Sequence, residues 1–309
     1  MVQVKKYNTL LDLLTTFKDE LACQQHLAQM KWSGKVISPF TGSDRVYKFK
    51  DGKTFKCAET RKKFNARTGT IFEESKIPLQ KWFGAIYLIT NHKKGISSVQ
   101  LSKDLGVTQK TAWFMLHRLR MATLTKEFKD IKLRNKVEAD ETYIGGKEKN
   151  KHNSKKIKGT QGRSTETKTA VLGLLERGGI VKTEILKDAK SNTIQVHVMN
   201  NVLIGSNLIT DEYRAYNSLA SFYMHDSVNH SANEYVNGEA HTNTLEGFWS
   251  LAKRSVIGIY HFISKEHLHR YFAEFAFRYN TRNLEQSERF DYLLQNTLGR
   301  LTYSQLIKN

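Results

Sequence analysis

The sequence predicts an α/β chain, α+β overall, in which a mixed sheet flanked by helices follows a small β ribbon and a helix-turn-helix. Three observations predict it. Residues 31–72 are short β-rich pieces broken by Pro39, Gly42, Gly52 and Gly69; residues 79–120 carry apolar side chains at helical spacing; and from residue 136 strand patterns alternate with helical ones. The expected organisation is an amphipathic helical segment over 1–30, a ribbon module over 31–75, a helix-turn-helix over 76–125 and a sheet domain with C-terminal helices over 130–300.

The elements follow in chain order. Leu10, Leu13, Leu14, Phe17 and Leu21 lie at helical spacing and predict one amphipathic helix over 8–29. In the ribbon, Tyr47, Phe49, Phe55, Phe64 and Phe72 are the candidate core. Leu79, Trp82, Phe83, Ile86 and Ile89 share one helical face. Beyond it a short helix ends near Leu105, Gly106 turns the chain and Thr108 caps a second helix, with Val99, Leu105, Val107, Ala112 and Leu116 to fill the angle between them. That helix would present Gln109, Lys110 and Thr111 at its exposed start, where a DNA-reading helix makes its contacts. Strands are then predicted over 136–144, 169–175, 180–187, 207–211 and 227–230, and helices over 191–203 and 213–222. Long helices begin near Thr244 and Lys265, and a helical tail covers 288–300. Three strands, helix, strand, helix, strand and then helices is the order of an RNase H-like domain.

Charge narrows the function. The 309 residues hold 49 Lys and Arg against 30 Asp and Glu, a net charge of +19. An excess of that size repels itself in a compact fold and points to a polyanionic partner, nucleic acid above all. Residues 35–67 hold ten basic and three acidic side chains, and residues 147–168 hold eight and two. The second run, with Lys155 and Lys156 at its middle, reads as a mobile basic loop for DNA contact or, equally, as a solvated loop. No apolar run reaches the ~20 residues that span a bilayer, which excludes a helical membrane protein. Two cysteines do not make a disulfide framework, and a reducing cytoplasm is the expected compartment.

Carboxylates supply the chemistry. Asp140 lies in mid-strand, where Asp is disfavoured without a reason. Asp211 ends the apolar run Leu208-Ile-Thr, the usual edge for an active-site acid. Glu246 follows on a helix, with 34 residues between it and Asp211, and Lys253 lies two turns beyond on the same face. Three carboxylates can hold two Mg²⁺ ions, with Mn²⁺ as the substitute, ~3.5–4 Å apart for in-line displacement at phosphorus. Lys253 would grip a phosphate beside them. Glu138, Glu141 and Glu212 lie close enough in sequence to be alternatives.

Four motifs resemble one family. They are Asp140-Glu-Thr-Tyr-Ile-Gly-Gly146, Thr210-Asp-Glu-Tyr-Arg-Ala-Tyr216, His241-Thr-Asn-Thr-Leu-Glu-Gly-Phe-Trp-Ser250 with Lys253-Arg254, and Phe277-Arg-Tyr-Asn-Thr-Arg282. Together they are similar to the ISXO-like DDE transposases of prokaryotic insertion sequences, from about residue 32 to 283. The resemblance implies an RNase H-like core, Mg²⁺ dependence, and cleavage and strand transfer at terminal inverted repeats. It implies Asp140, Asp211 and Glu246 as metal ligands and Lys253, with Arg254 beside it, as DNA contacts. The third acid varies within the group, and Asn243 is the reserve candidate. Double-stranded DNA, both element ends and target, is the implied partner. A homodimer or larger assembly on DNA, without membrane and at the bacterial nucleoid, is the expected setting.

One departure stands out. Members of the group usually begin with a zinc ribbon of two Cys-x-x-Cys pairs, whereas the matching positions here are Ser38-Pro-Phe-Thr41 and Cys57-Ala-Glu-Thr60. Four good ligands are needed for structural zinc, so the ribbon is expected to fold without it and Cys57 to be a buried thiol. Two other classes compete with an active transposase: a DNA-binding protein derived from one that has lost its chemistry, and an RNase H-like nuclease or resolvase.

Overall fold

Asp19 divides the helix expected over 8–29. In the computed structural model, which describes residues 6–146, 152–156, 166–228 and 241–307, α1 spans Leu10–Thr16 and α2 spans Glu20–Trp32. Asp19 sits in extended backbone between them and accepts from the Ala22 N–H at 2.8 Å, so a new helix starts there. The chain forms two compact units, one of residues 1–125 with 281–309 and one of residues 126–280.

The ribbon of the first unit is an antiparallel sheet of β1 (Val46–Lys48), β2 (Thr54–Cys57) and β3 (Lys63–Asn65), in that order. Phe55 and Phe64 pair across β2 and β3 with ring centroids 5.7 Å apart, and Trp32 closes over both edge-on. Phe72 is buried with Trp82 of the following helix as its ring partner, and Phe49 is half-buried beside the ribbon's core. Tyr47 does not join it: register sets it opposite Lys56 on the outward side of β2, and it is 59% exposed. Cys57 is a buried free thiol. The Thr60 N–H donates to its Sγ at 3.5 Å and the Thr41 hydroxyl lies 3.7 Å away, so both Cys-x-x-Cys-like turns converge on one sulfur. Hydrogen bonds from Ser38 and Thr60 hold this thiol's pKa below its ordinary value.

Three helices follow: α3 (Leu79–Asn91), α4 (Ser98–Leu105) and α5 (Gln109–Thr123). Gly106, at φ 58°, makes the left-handed turn that ends α4, and the Thr108 hydroxyl caps α5 through the Thr111 N–H. Leu101, Ala112 and Leu116 fill the angle; Val99 instead faces outward, 53% exposed, because Leu101 takes the inner face of α4.

The second unit begins with α6 (Lys126–Asp130) and is built on β4 (Lys136–Ile144), β5 (Thr169–Glu176), β6 (Val181–Ile185), β7 (Asn207–Asp211) and β8 (Met224–Val228). Their order is β6-β5-β4-β7-β8: the first three strands are antiparallel neighbours, and β7 and β8 are added parallel to β4. This is the RNase H-like sheet. One face is covered by α7 (Ser191–Asn201) and a 3₁₀ stretch, Arg214–Ser221, where an α-helix was expected. The other face is covered by α8 (Asn243–Ser255) and α9 (Leu268–Asn280) through Leu245, Phe248, Trp249, Phe272 and Phe275. Asn280 accepts from Val181 N–H at 2.8 Å and donates to its carbonyl at 3.0 Å, completing the outer edge of β6. Arg278 pairs with buried Glu274. Two residues of the Phe277–Arg282 motif are thus structural. Strand β8 begins three residues earlier than expected, and Asn229 and His230, the end of the expected strand, lie outside the described residues.

After Asn280 the chain returns to the first unit as α10 (Gln286–Gln295) and α11 (Tyr303–Ile307). The tail assigned by sequence to the sheet domain packs on the N-terminal helices instead, because its apolar face fits there. Phe290 meets Tyr7, Phe17 and Phe83 at 5.2–6.2 Å between centroids. Asp291 accepts from Tyr7 and His26, both at 2.8 Å. Ile71 N–H donates to Thr297 and Gly299 N–H to Gly69, which adds a backbone strap beside the ribbon. Arg118, buried, donates to the carbonyls of Ile71 and Leu301 and ties α5 to the same strap. Phe290→Ala is therefore expected to cost the first unit about 3–5 kcal/mol, measured by urea unfolding. A fragment ending at Thr125 should show the same loss and recover when residues 281–309 are added through a linker; a fully stable 1–125 fragment would refute this closure.

Candidate active site

Strand β4 turns alternate side chains to opposite faces. Val137, Ala139 and Tyr143 join the core under α7. Glu138 and Asp140 face α8. Glu141 is on the α7 side, where Tyr216 donates to it in a buried hydrogen bond, which removes it from the acidic set. Tyr216, buried against this carboxylate, has its pKa pushed far up.

Asp140 and Asp211 are brought side by side. Ala139 and Thr210 are paired in the parallel ladder of β4 and β7, so the next residue of each strand is an acid. Asp211 is 7% exposed and its Oδ1 accepts from Tyr213 N–H at 3.0 Å, turning the chain out of the strand. The pKa of Asp140 is pushed up to about 6, first by burial and then by the charge of Asp211, with a smaller push from Glu246. Glu246 lies exposed on the first turn of α8 and accepts from the Thr242 hydroxyl at 3.1 Å. Lys253 and Arg254 are exposed on the last turn; Arg254 is held by the carbonyl and hydroxyl of Ser250. Asn243 and Glu212 are exposed. Among the described residues no three His, Cys, Asp or Glu side chains are gathered closely enough to hold one metal ion.

Glu138 has a different task. It is fully buried: Arg177 donates to its Oε1 at 2.7 Å and the Leu245 N–H to its Oε2 at 2.8 Å. Arg177 also donates to the His241 carbonyl at 2.6 Å. The carboxylate on β4 is thus the N-terminal cap of α8, two residues from Asp140. The sequence offered Glu138 as an alternative ligand; a buried ion pair and a helix cap use both its oxygens. Arg177 and Trp249, whose Nε1 donates to Asp140 Oδ2 at 3.0 Å, were not singled out from sequence.

The residues expected to touch DNA through the first unit lie at the start of α5. Gln109 and Lys110 are exposed, Thr111 is half-buried. Gln109 donates to Ser98 at 2.7 Å across the turn, Lys110 lies 4.9 Å over the Tyr303 ring, and Thr111 bonds Thr108. In the basic run, Lys156 donates to Asn153 at 2.8 Å. The side chain of Lys155 and residues 147–151 and 157–165 lie outside the described residues.

A five-stranded mixed sheet with neighbouring acids on its first and fourth strands defines an RNase H-like domain. The ISXO2-like transposase domain matches residues 132–280, the whole of that unit but its first residues. A protein of the transposable element ISH50 in Halobacterium salinarum is 30% identical over 298 residues, 92% of this chain and 99% of its own length. The chain belongs to the ISXO2-like transposase family. A transposase-like protein of Haemophilus influenzae is 30% identical over 122 residues, 39% of this chain and 96% of its own. Among solved structures, the Mos1 strand transfer complex aligns over 74% of this chain and 82% of its own at 14% identity and TM-score 0.30. The mariner Mos1 paired-end complex with Mg aligns over 74% and 83% at 14% identity and TM-score 0.28.

The raised pKa of Asp140 has a stability consequence. Its folded form binds a proton more tightly than the unfolded chain, so the associated stability is full below about pH 4 and is lost as pH rises through about 6. With divalent metal removed by chelator, Asp140→Asn is expected to stabilise the protein at pH 7.5 by on the order of 2 kcal/mol, the gain vanishing near pH 4. Thermal unfolding at several pH values checks this; a variant less stable than wild type at pH 7.5 would contradict it.

Proposed function

We propose that this transposase binds the terminal inverted repeats of its own insertion sequence and performs metal-dependent cleavage and strand transfer, with Asp140, Asp211 and Glu246 as metal ligands. The observation that carries the proposal is the pairing of Asp140 and Asp211 on adjacent strands, with Glu246 near enough to add to their repulsion. Hard oxygen donors that repel one another fit a divalent cation such as Mg²⁺ or Mn²⁺, and the set contains no Cys or His. Bound there, divalent ions would lower the pKa of an attacking water or 3′-hydroxyl and neutralise charge on the phosphate.

The chain's own residues do the rest. Asp140 must give up its proton to serve as a ligand. Thr242 holds one oxygen of Glu246 at the start of α8. Lys253 and Arg254, two turns further along and exposed, carry charge for the DNA phosphates. Gln109, Lys110 and Thr111 would approach base edges in the major groove. Gln109 and Lys110 would exchange their present contacts with Ser98 and Tyr303 for DNA. Lys155 and Lys156 would meet phosphates without regard to sequence. The protein works as a dimer or larger assembly on DNA, in the cytoplasm at the nucleoid.

A labelled element end, target DNA and Mg²⁺ test this reading. Wild type should give joined product, whereas Asp211→Ala should lose cleavage and joining but retain binding of the end. Cleavage without joining would mark a nuclease, and a mobility shift alone a protein that has kept binding and lost its chemistry.

The ribbon is proposed to fold without zinc, its turns closed on Cys57 by Ser38, Thr41 and Thr60. Metal analysis of purified protein should find well under one zinc per chain, with unfolding of residues 31–72 unchanged by chelator. Stoichiometric zinc whose removal unfolds this region would overturn the assignment.

A further inference from the structure

The register of β4 and β5 sets Gly173 directly opposite Asp140. Glycine inside a strand is unfavourable unless something must approach closely. Here that is Trp249. A Cβ on Gly173 would lie 2.4 Å from Trp249 Cζ2, 2.8 Å from its Cη2 and 2.9 Å from Leu245 Cδ1. Backbone and core leave the ring no room to yield: Trp249 is 3% exposed, and Phe248 and Phe272 lie 5.2 and 6.0 Å from it between centroids. The indole N–H, the only polar atom of this buried side chain, reaches across the vacant β-carbon position to Asp140 Oδ2.

We propose that Trp249 is the positioning residue for Asp140, and that Gly173 is a glycine so that the indole can pass. The hydrogen bond engages Oδ2 and fixes the carboxylate's rotation, so that Oδ1 keeps one direction. Trp249 lies three residues after Glu246, one helical turn along α8. The same helix therefore supplies one acid and orients another that comes from the sheet. A ligand held by a second residue loses less freedom when a cation binds, and removing such a holder commonly weakens metal binding ~10–100-fold.

This inference rests on the assignment of Asp140 as a metal ligand, and the test separates the two. The full-length protein is titrated with Mg²⁺ by calorimetry, without DNA, as wild type, Asp140→Asn, Trp249→Phe and Gly173→Ala. Trp249→Phe keeps a ring in the core and removes the donor; Gly173→Ala keeps the donor and displaces it. Both should weaken Mg²⁺ binding about ten-fold, with the double variant no worse than either alone because they act through one hydrogen bond. Far-ultraviolet circular dichroism and melting temperature establish that each variant is folded. In wild-type protein labelled with ¹⁵N-tryptophan, the Trp249 indole resonance, assigned by its absence from Trp249→Phe, should shift on adding Mg²⁺ and move in Asp140→Asn.

Wild-type Mg²⁺ affinity in Trp249→Phe, with Asp140→Asn defective, would overturn the positioning role and leave the ligand intact. Unchanged affinity in Asp140→Asn would overturn both. If a variant does not fold, an indole resonance that ignores Mg²⁺ in the wild-type protein still overturns the proposal.

Discussion

The second unit depends on one buried carboxylate. Glu138 sits on β4 with no exposure to solvent, and the cost of placing a charge there is met by Arg177 and by the first turn of α8. Because the Leu245 N–H ends on Glu138, the helix start is pinned to the central strand beside Asp140. Glu246 and Trp249, which α8 carries toward Asp140, take their position from that attachment. The Arg177 bond to the His241 carbonyl fixes the approach to the helix as well. Removing Arg177 would take from fully buried Glu138 the cation nearest to it, a costly change at a site with no access to water.

Around this clip, strand alternation separates two kinds of chemistry. The α7 face of β4 is apolar except where Glu141 meets Tyr216. The α8 face holds a closed ion pair at Glu138 and, two residues on, a carboxylate whose pKa is pushed up to about 6 by burial and then by the charge of Asp211. Two carboxylates on one strand thus meet different partners, a cation and a helix N-terminus at Glu138 and a second acid at Asp140. Under the proposed function, affinity for a cation at Asp140 and Asp211 would be stored as repulsion in its absence, while Phe248, Trp249 and Phe272 pack α8 and α9 on this face of the sheet.

Much of this was legible in the sequence. Strand order, the placing of Asp140 and Asp211, and the capped start of α5 follow from period-two patterns, from the apolar run before Asp211, and from Thr108 after Gly106. Other features were not. Tyr47 is apolar enough for a core, but which strand face is inward depends on register with β2. The tail at 281–309 has an ordinary amphipathic pattern that does not say which partner it covers. Arg177 lies in a hairpin turn where a basic residue reads as solvated, and its pairing with Glu138 exists only once β4 and β5 are side by side. Gly173 did leave a trace: a glycine inside Thr169–Glu176 marks a close approach, although sequence does not reveal that an indole makes it.

The pairing of residues 1–125 with 281–309 also fixes an order of events during synthesis. The helices and ribbon that leave the ribosome first cannot bury Phe17 and Phe83 against Phe290, or gain the strap at Thr297, until the entire sheet unit has been translated. The part that starts first is therefore finished last. A message broken after residue 280 would give a chain whose sheet is complete and whose amino-terminal half stays open, ready for chaperones and proteases rather than for work.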